Sequence, residues 1–155
     1  MKKKTMQMWF TLLFILGLVI GFSLPGNWRT ASLKPLKAGV YDIPKKMGQL
    51  DNDLGDFKYT SLVEVNDASI ELFKVDNGIS VRSNAKENYF AYVIKGRVKA
   101  TIGDSAYDAG PGSLIVVPAG TLHSMQRVGD SPAEMIVFSS PPHIAKETAI
   151  TEDKE

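Results

Sequence analysis

The sequence predicts an all-β domain, an antiparallel sandwich or barrel, and three observations lead to this fold class. Short runs of β-branched and aromatic residues alternate with turn residues between Tyr59 and Ser139, at the spacing of about eight to twelve positions that is typical of such folds. No helical period of apolar residues interrupts these runs. The breaks carry hairpin chemistry such as Asp76-Asn-Gly78 and Gly110-Pro-Gly112, whose residues supply the φ values that tight turns need.

The chain divides into four segments along its length. Residues 1–32 are a signal peptide or an uncleaved signal anchor, and 33–58 form a linker and an extended lead-in. The β-barrel occupies 59–142, and the polar tail 143–155 is expected to fray. The candidate strands are 59–65, 69–75, 79–83, 89–94, 97–102, 105–107, 113–117, 123–128 and 134–139.

The N-terminal segment predicts export. Lys2, Lys3 and Lys4 precede an apolar run from Trp9 to Leu24, which is the order of a charged n-region and an h-region. A helix over this run would be roughly 24 Å long, less than the hydrocarbon core of about 30 Å. A secretory signal is therefore favoured over a stable anchor. Both alternatives place the domain outside the cytoplasm, in the periplasm or tethered to the membrane.

Composition excludes several classes of function. The 155 residues accommodate one domain of ordinary size, and a net charge of +1 gives no field to attract nucleic acid. The chain contains no cysteine, so disulfides, zinc–thiolate sites and thiol catalysis are excluded. Membrane association is expected only through the N-terminal segment.

The most informative motif joins two predicted strands. It reads Gly112-Ser-Leu-Ile-Val-Val-Pro118-Ala-Gly120-Thr-Leu-His123. This segment resembles the second motif of the cupin family, G-x5-P-x-G-x2-H-x3-N, at every defined position through the histidine. Arg127 stands where the motif ends in asparagine. The resemblance implies a double-stranded β-helix, and because dimers are frequent among cupins it also implies a homodimer.

The first cupin motif, which supplies two histidines and a glutamate to a metal, is degenerate. Tyr92-Val-Ile-Lys-Gly96 resembles its end and puts Tyr89 at the glutamate position. The histidine positions fall on Asn84 and Lys86 in one register and on Arg82 and Asn84 in the other. Cationic side chains cannot donate to a metal, and an amide oxygen is a weak ligand. We therefore expect no metal site and no cofactor; His143 lies beyond the last predicted strand.

The residues at the matched positions instead indicate a polar pocket. Alternation places His123, Met125 and Arg127 on one strand face. The candidate ligand-binding residues are His123, Arg127, Asn84, Arg82, Tyr89 and Met125. Such a set suits a small anionic or carbohydrate-derived ligand, for example a sugar acid, because guanidinium binds carboxylate through two hydrogen bonds.

Two alternatives remain open beside a binding protein. One is an isomerase or lyase acting on a sugar acid, with His123 as general acid or base, Tyr89 as proton donor and Arg127 stabilising negative charge. The other is a ligand-free interaction or dimerisation module, in which His123 only hydrogen-bonds a neighbour. The sequence does not decide whether the protein is an enzyme.

Overall fold

The protein is described by a computed structural model that covers residues 35–142 and 148–150. Its described part forms one short helix and eleven strands. The helix α1 spans Ile43–Met47. The strands are β1 (Asn52–Asp53), β2 (Phe57–Glu64), β3 (Ser69–Val75), β4 (Gly78–Asn84), β5 (Asn88–Lys95), β6 (Val98–Ile102), β7 (Ser105–Ala109), β8 (Leu114–Val117), β9 (His123–Arg127), β10 (Ala133–Ser140) and β11 (Thr148–Ile150).

The strands form two antiparallel sheets. Six of them follow the order β1-β2-β3-β10-β5-β8, and the other five follow the order β11-β4-β9-β6-β7. The all-β prediction is confirmed. Each of the nine predicted strands corresponds to one of β2 to β10, with ends that agree within two residues. Agreement is this close because the turn residues, rather than strand propensity, mark the ends.

The lead-in differs from its predicted extended form. The Asp42 side chain accepts a hydrogen bond from the Lys45 backbone N–H at 3.1 Å, and Pro44 occupies the first turn. Aspartate at the N-cap and proline in the first turn are standard helix-start signals. They produce α1, which contacts β3 and buries Met47.

Two further predictions concern the C-terminal tail and the N-terminal leader. The tail that was expected to fray contains β11, which pairs with β4 from Thr148 to Ile150. The predicted leader 1–32 and His143 lie outside the described residues, so export stays a prediction. Among residues 35–142 and 148–150, the structure contains no candidate membrane-spanning helix.

The core lies between the two sheets and is apolar at one end. The inward positions there are taken by buried aliphatic residues of both sheets: Val75, Val93, Val98, Ala100, Ala109, Met125, Ala133 and Met135. Aromatic rings lie next to these aliphatic residues in the same core cluster. Phe57 and Phe73 stack with centroids 5.6 Å apart, and Phe73 meets Tyr89 edge-on at 6.1 Å.

A β-bulge in β4 determines which of its side chains enter the interior. Ile79 pairs with Met125 and Arg82 pairs with His123, so three steps on β4 oppose two on β9. The extra residue reverses the alternation. Ile79 and Asn84 are buried, whereas Val81 is exposed.

Candidate functional site

Buried polar side chains collect at the end of the interior that is opposite to the aliphatic core. They come from both sheets: Ser69, Glu71, Asn84, Tyr89, His123 and Ser139 are each less than 10% exposed. The register explains their proximity, because Tyr89 pairs with Ser139 and Ser139 pairs with Ser69 across three neighbouring strands. We call this set, together with Arg82 and Glu87, the polar end.

His123 is positioned by the turn that precedes it. Gly120 has a φ of +75°, a conformation that residues with a Cβ rarely adopt. Its N–H donates to the Asn84 carbonyl at 2.7 Å, and the Ala119 N–H donates to the Asn88 Oδ1 at 3.1 Å. These two hydrogen bonds connect the turn to the last residue of β4 and the first residue of β5. Because β4 and β5 belong to different sheets, the turn links the two sheets next to His123.

The imidazole of His123 has a defined tautomer. Its Nδ1 lies 3.0 Å from the Thr121 carbonyl oxygen, which only accepts, so Nδ1 carries the proton and Nε2 keeps its lone pair. Burial lowers the pKa of His123, the Thr121 carbonyl opposes this shift, and the Arg82 charge reinforces it. The ring is neutral at pH 7 and offers a base.

Asn88 is expected to hold the turn in place through its side-chain oxygen. Replacing it with alanine removes the acceptor of the Ala119 N–H and should cost about 1 kcal/mol of unfolding free energy. The loosened turn admits water, so the pKa of His123 should rise towards its usual range. Urea unfolding and an NMR titration of the His123 ring measure the two effects.

The matched control is Asn88→Asp, which keeps an oxygen acceptor at the same position. It should match the parent chain in unfolding free energy, although its added negative charge also raises the pKa of His123. Equal losses of unfolding free energy in Asn88→Ala and Asn88→Asp would show that the hydrogen bond to Ala119 does not position the turn.

Tyr89 lies beside His123 with the ring centroids 5.9 Å apart. Burial raises the pKa of Tyr89 well above its usual value, and the charges of Glu71 and Glu87 add to this shift. Its hydroxyl is therefore a proton donor at any physiological pH. A neutral base and a protonated phenol thus stand next to each other at the polar end.

Arg82 is the cation of this end of the interior. Its guanidinium carbon lies 5.2 Å from the centroid of the Phe57 ring, within the range of a cation–π contact. The Nε–H donates to the Ser80 carbonyl at 3.3 Å, which uses one of five N–H donors. Partial burial lowers the pKa of Arg82, but the group stays charged.

Four residues of the polar end escaped the sequence analysis. Glu71 and Ser69 share the inward face of β3 with Phe73, and Ser139 shares the inward face of β10 with Val137. A polar residue at an inward position of an otherwise apolar strand is the signal that identifies these three. Glu87 is buried in the β4–β5 loop, where no periodicity applies.

The structure brings only part of the predicted ligand set together. Arg82, Asn84, Tyr89 and His123 belong to the polar end. Met125 is 1% exposed and lies in the aliphatic core.

Arg127 lies beyond Met125, towards the opposite end of β9. It donates a hydrogen bond from Nη1 to the Gly129 carbonyl. It also lines a separate cavity of about 350 Å³ with Asp56 and Asn77. Arg127 is therefore not a neighbour of His123, although the two residues share a strand face.

The donor set does not fit the metal that cupins commonly hold. Among the described residues, no three His, Cys, Asp or Glu side chains are grouped to bind an ion. The phenol of Tyr89 resists deprotonation, and the cationic Arg82 pairs directly with His123. Glu71 and Glu87 carry carboxylates at the polar end, but neither forms part of a three-ligand group with His123 among the described residues. The Arg82 guanidinium would repel a divalent ion there.

Comparison with known sequences gives one family and one curated relative. Residues 74–139 match the family described as Cupin domain. An uncharacterised protein of Streptomyces coelicolor is 27% identical over 88 residues, which cover 56% of this chain and 83% of that protein.

Solved structures with the same fold support this match. A protein from Klebsiella pneumoniae with a double-stranded β-helix domain superposes with a TM-score of 0.61 at 14% identity, covering 76% of this chain and 100% of the other. Pac13 from Streptomyces, a nucleoside dehydratase, has a TM-score of 0.58 at 20% identity, with coverages of 73% and 90%. KdgF from Halomonas sp. has a TM-score of 0.60 at 15% identity, with coverages of 70% and 99%. At these identities the likeness establishes the fold, a double-stranded β-helix.

Proposed function

Because the chain is a cupin-domain protein, with the family's domain at residues 74–139, we propose that its polar end binds a small polyhydroxy carboxylic acid. This is the carbohydrate-derived anion of which a sugar acid is the simplest example. The observation that carries the proposal is the pairing of Arg82 with His123 across the β4 bulge, which sets one cation beside the neutral imidazole.

The charges of the polar end favour a ligand with one acidic group and several hydroxyls. Arg82 can receive a carboxylate through paired hydrogen bonds. Glu71 and Glu87 act electrostatically on Tyr89 and would repel a second negative group there. Carboxylates accept hydrogen bonds from ligand hydroxyls, so the remainder of the ligand should be neutral and hydroxylated.

Two buried polar atoms support a ligand at this end. Within the part of the chain that the structure describes, Asn84 Oδ1 and Ser139 Oγ are buried without a hydrogen-bond partner. Such atoms are costly unless water or a ligand satisfies them. Both can accept a hydrogen bond from a hydroxyl, and a variant of Pac13 is known with uridine, whose ribose is a hydroxylated ring.

A second candidate function is acid–base catalysis on the same ligand class. The specific observation is the neighbouring pair of a neutral His123, with Nε2 as base, and a protonated Tyr89. In a sugar acid, a base removes the proton on the carbon next to the carboxylate while an acid protonates the departing hydroxyl as water. The products are an enol acid and water, so a lyase reaction needs no co-reactant.

The test is a calorimetric and thermal-shift comparison of the full-length chain in detergent with galacturonate, glucuronate, galactose and glucose. At least one acid should raise the melting temperature and bind with 1:1 stoichiometry, while its neutral sugar binds at least tenfold more weakly. Equal affinity for acid and neutral sugar, or stabilisation by none of the four compounds, would contradict the proposal. NMR spectra of the incubated acid separate the two candidates, because only an enzyme changes the ligand.

A further inference from the structure

A second cavity lies away from the polar end, where β4 begins and β9 ends. Its volume is about 350 Å³, near the lower limit of the range of about 300–1,000 Å³ that is common for small-molecule sites. The polar part of its lining comes from the residue before β2, the β3–β4 turn, the start of β4 and the end of β9: Asp56, Asn77, Ser80, Gln126 and Arg127. We call this space the Arg127 cavity.

Arg127 supplies a cation that the protein holds in place but does not neutralise. Its Nη1 donates to the Gly129 carbonyl, and its backbone N–H donates to the Asn77 carbonyl at 2.8 Å. Its Nε is buried without a hydrogen-bond partner among the described residues, none of which accepts from Nη2 either. A buried donor without a partner is costly. A fixed guanidinium with unused donors can receive a carboxylate with little rearrangement.

Asp56 supplies an anion to the same cavity. Its side chain is oriented by Asn77, whose Nδ2 donates to Asp56 Oδ1 at 3.0 Å. The Asp56 carbonyl also accepts the backbone N–H groups of Asp76 and Asn77, both at 2.9 Å. Within the described part of the chain, these contacts leave the other carboxylate oxygen of Asp56 and the amide oxygen of Asn77 available as acceptors. An ammonium group requires acceptors of this kind.

The two charges line one cavity without meeting. Among the described residues, neither Asp56 nor Arg127 forms an ion pair with the other or with a third side chain. A molecule that carries both an ammonium and a carboxylate can bridge them. We propose that the Arg127 cavity binds a small zwitterion, in the simplest case a free α-amino acid. Its carboxylate is received by Arg127 and its ammonium by Asp56 and Asn77.

The charges of the cavity disfavour a ligand with a single charge. Asp56 would repel a simple anion, and Arg127 would repel a simple cation. Ser80 and Gln126 are exposed on the wall of the cavity, so a polar ligand side chain such as that of glutamine is favoured. Asp56 and Asn77 are also exposed, so water and salt screen the contacts and a dissociation constant on the order of 1 mM is expected.

The ligand itself provides the first test, without any change to the protein. Glutamine is compared with glutaminamide, which lacks the carboxylate, and with N-acetylglutamine, which lacks the ammonium. In NMR titrations of the full-length chain in detergent, glutamine should shift the backbone amides of Gly78 and Gln126 and bind at least tenfold more tightly than either analogue. The His123 ring should not respond. Equal affinities for the three compounds, binding of none of them, or acetate bound as tightly as glutamine would overturn the proposal.

Two variants assign the two ends of the ligand. In Arg127→Gln, glutamine and glutaminamide should bind equally, because the carboxylate has lost its partner. In Asp56→Asn, glutamine and N-acetylglutamine should bind equally, because the ammonium has lost its partner. Arg97→Gln and Asp104→Asn are the matched controls, since they remove the same charges from exposed positions outside the cavity. Both controls should change the affinity for glutamine less than twofold.

The Arg127 cavity and the polar end can be tested separately, because they share no residue. Thermal unfolding confirms that Arg127→Gln and Asp56→Asn fold, and both should bind a sugar acid as the parent chain does. Arg82→Gln should keep its affinity for glutamine, and the glutamine titration is decisive even if no sugar acid binds. Loss of glutamine binding in Arg82→Gln but not in Arg127→Gln would place the zwitterion at the polar end and overturn the assignment.

Discussion

Replacing Gly96 with alanine is expected to destabilise the domain by roughly 3 kcal/mol or more. Gly96 joins β5 to β6 with a φ of +71°. A Cβ at this position would lie 2.3 Å from the Pro132 carbonyl oxygen and 2.7 Å from the Ala133 Cα. Both contacts are with backbone at the start of β10, so relief requires the strand to move away from its neighbour. Urea unfolding of the parent and variant chains measures the loss.

Gly103→Ala is the control that separates the two causes. Gly103 has a similar φ of +55°, but an added Cβ would meet no atom within 4 Å. Only the conformational cost remains, about 1 kcal/mol. If both variants lose the same free energy, the close approach of Gly96 to Pro132 does not contribute to stability.

Replacing Arg82 with glutamine is expected to weaken binding of a sugar acid by roughly two orders of magnitude. A charge-assisted pair of hydrogen bonds contributes about 3 kcal/mol, and the amide cannot replace it. Binding of the corresponding neutral sugar, already weak, should change little. Isothermal titration with the acid that stabilises the parent chain measures the loss.

Lys86→Gln is the matched control, because Lys86 carries the same charge four residues away but is exposed. It should retain the affinity of the parent chain within about twofold.

The unfolding free energy provides a second contrast. Burial opposes the charge of Arg82 and offsets its contacts with Phe57 and Ser80, so Arg82→Gln should destabilise the unliganded domain by no more than about 1 kcal/mol. A loss of stability that matches the loss of affinity would assign Arg82 a structural role instead.

Strand positions could be predicted from the sequence because turn residues mark their ends. Gly112, Pro118 and Gly120 serve the backbone, and their spacing indicated both the fold and the entry of His123 into the interior. Short elements were harder to predict. β11 has three residues and is defined by its pairing with β4, a contact between distant parts of the chain that local patterns do not contain.

Motif spacing, rather than strand alternation, located Asn84, because the bulge in β4 reverses the alternation that starts at Ile79. Both registers of the first cupin motif included Asn84, and Asn84 is indeed in the interior. Alternation puts Arg127 on the same strand face as His123 but does not say how far apart the two side chains lie. Four residues of strand extend about 13 Å, so the Arg127 side chain lines another cavity. Glu87 could not be predicted, because its burial depends on how the β4–β5 loop folds over the strands.

The bulge in β4 makes the chemistry of the interior depend on strand length as well as residue identity. With Ser80 or Val81 deleted, the alternation that begins at Ile79 would run without interruption, yet Arg82 and Asn84 would keep their places opposite β9. With one residue inserted there instead, the extra length would have to be absorbed by a larger bulge or by a shift of both polar side chains to the outer surface. A single-codon insertion could thus disrupt the polar end in one evolutionary step while every one of its residues remained encoded.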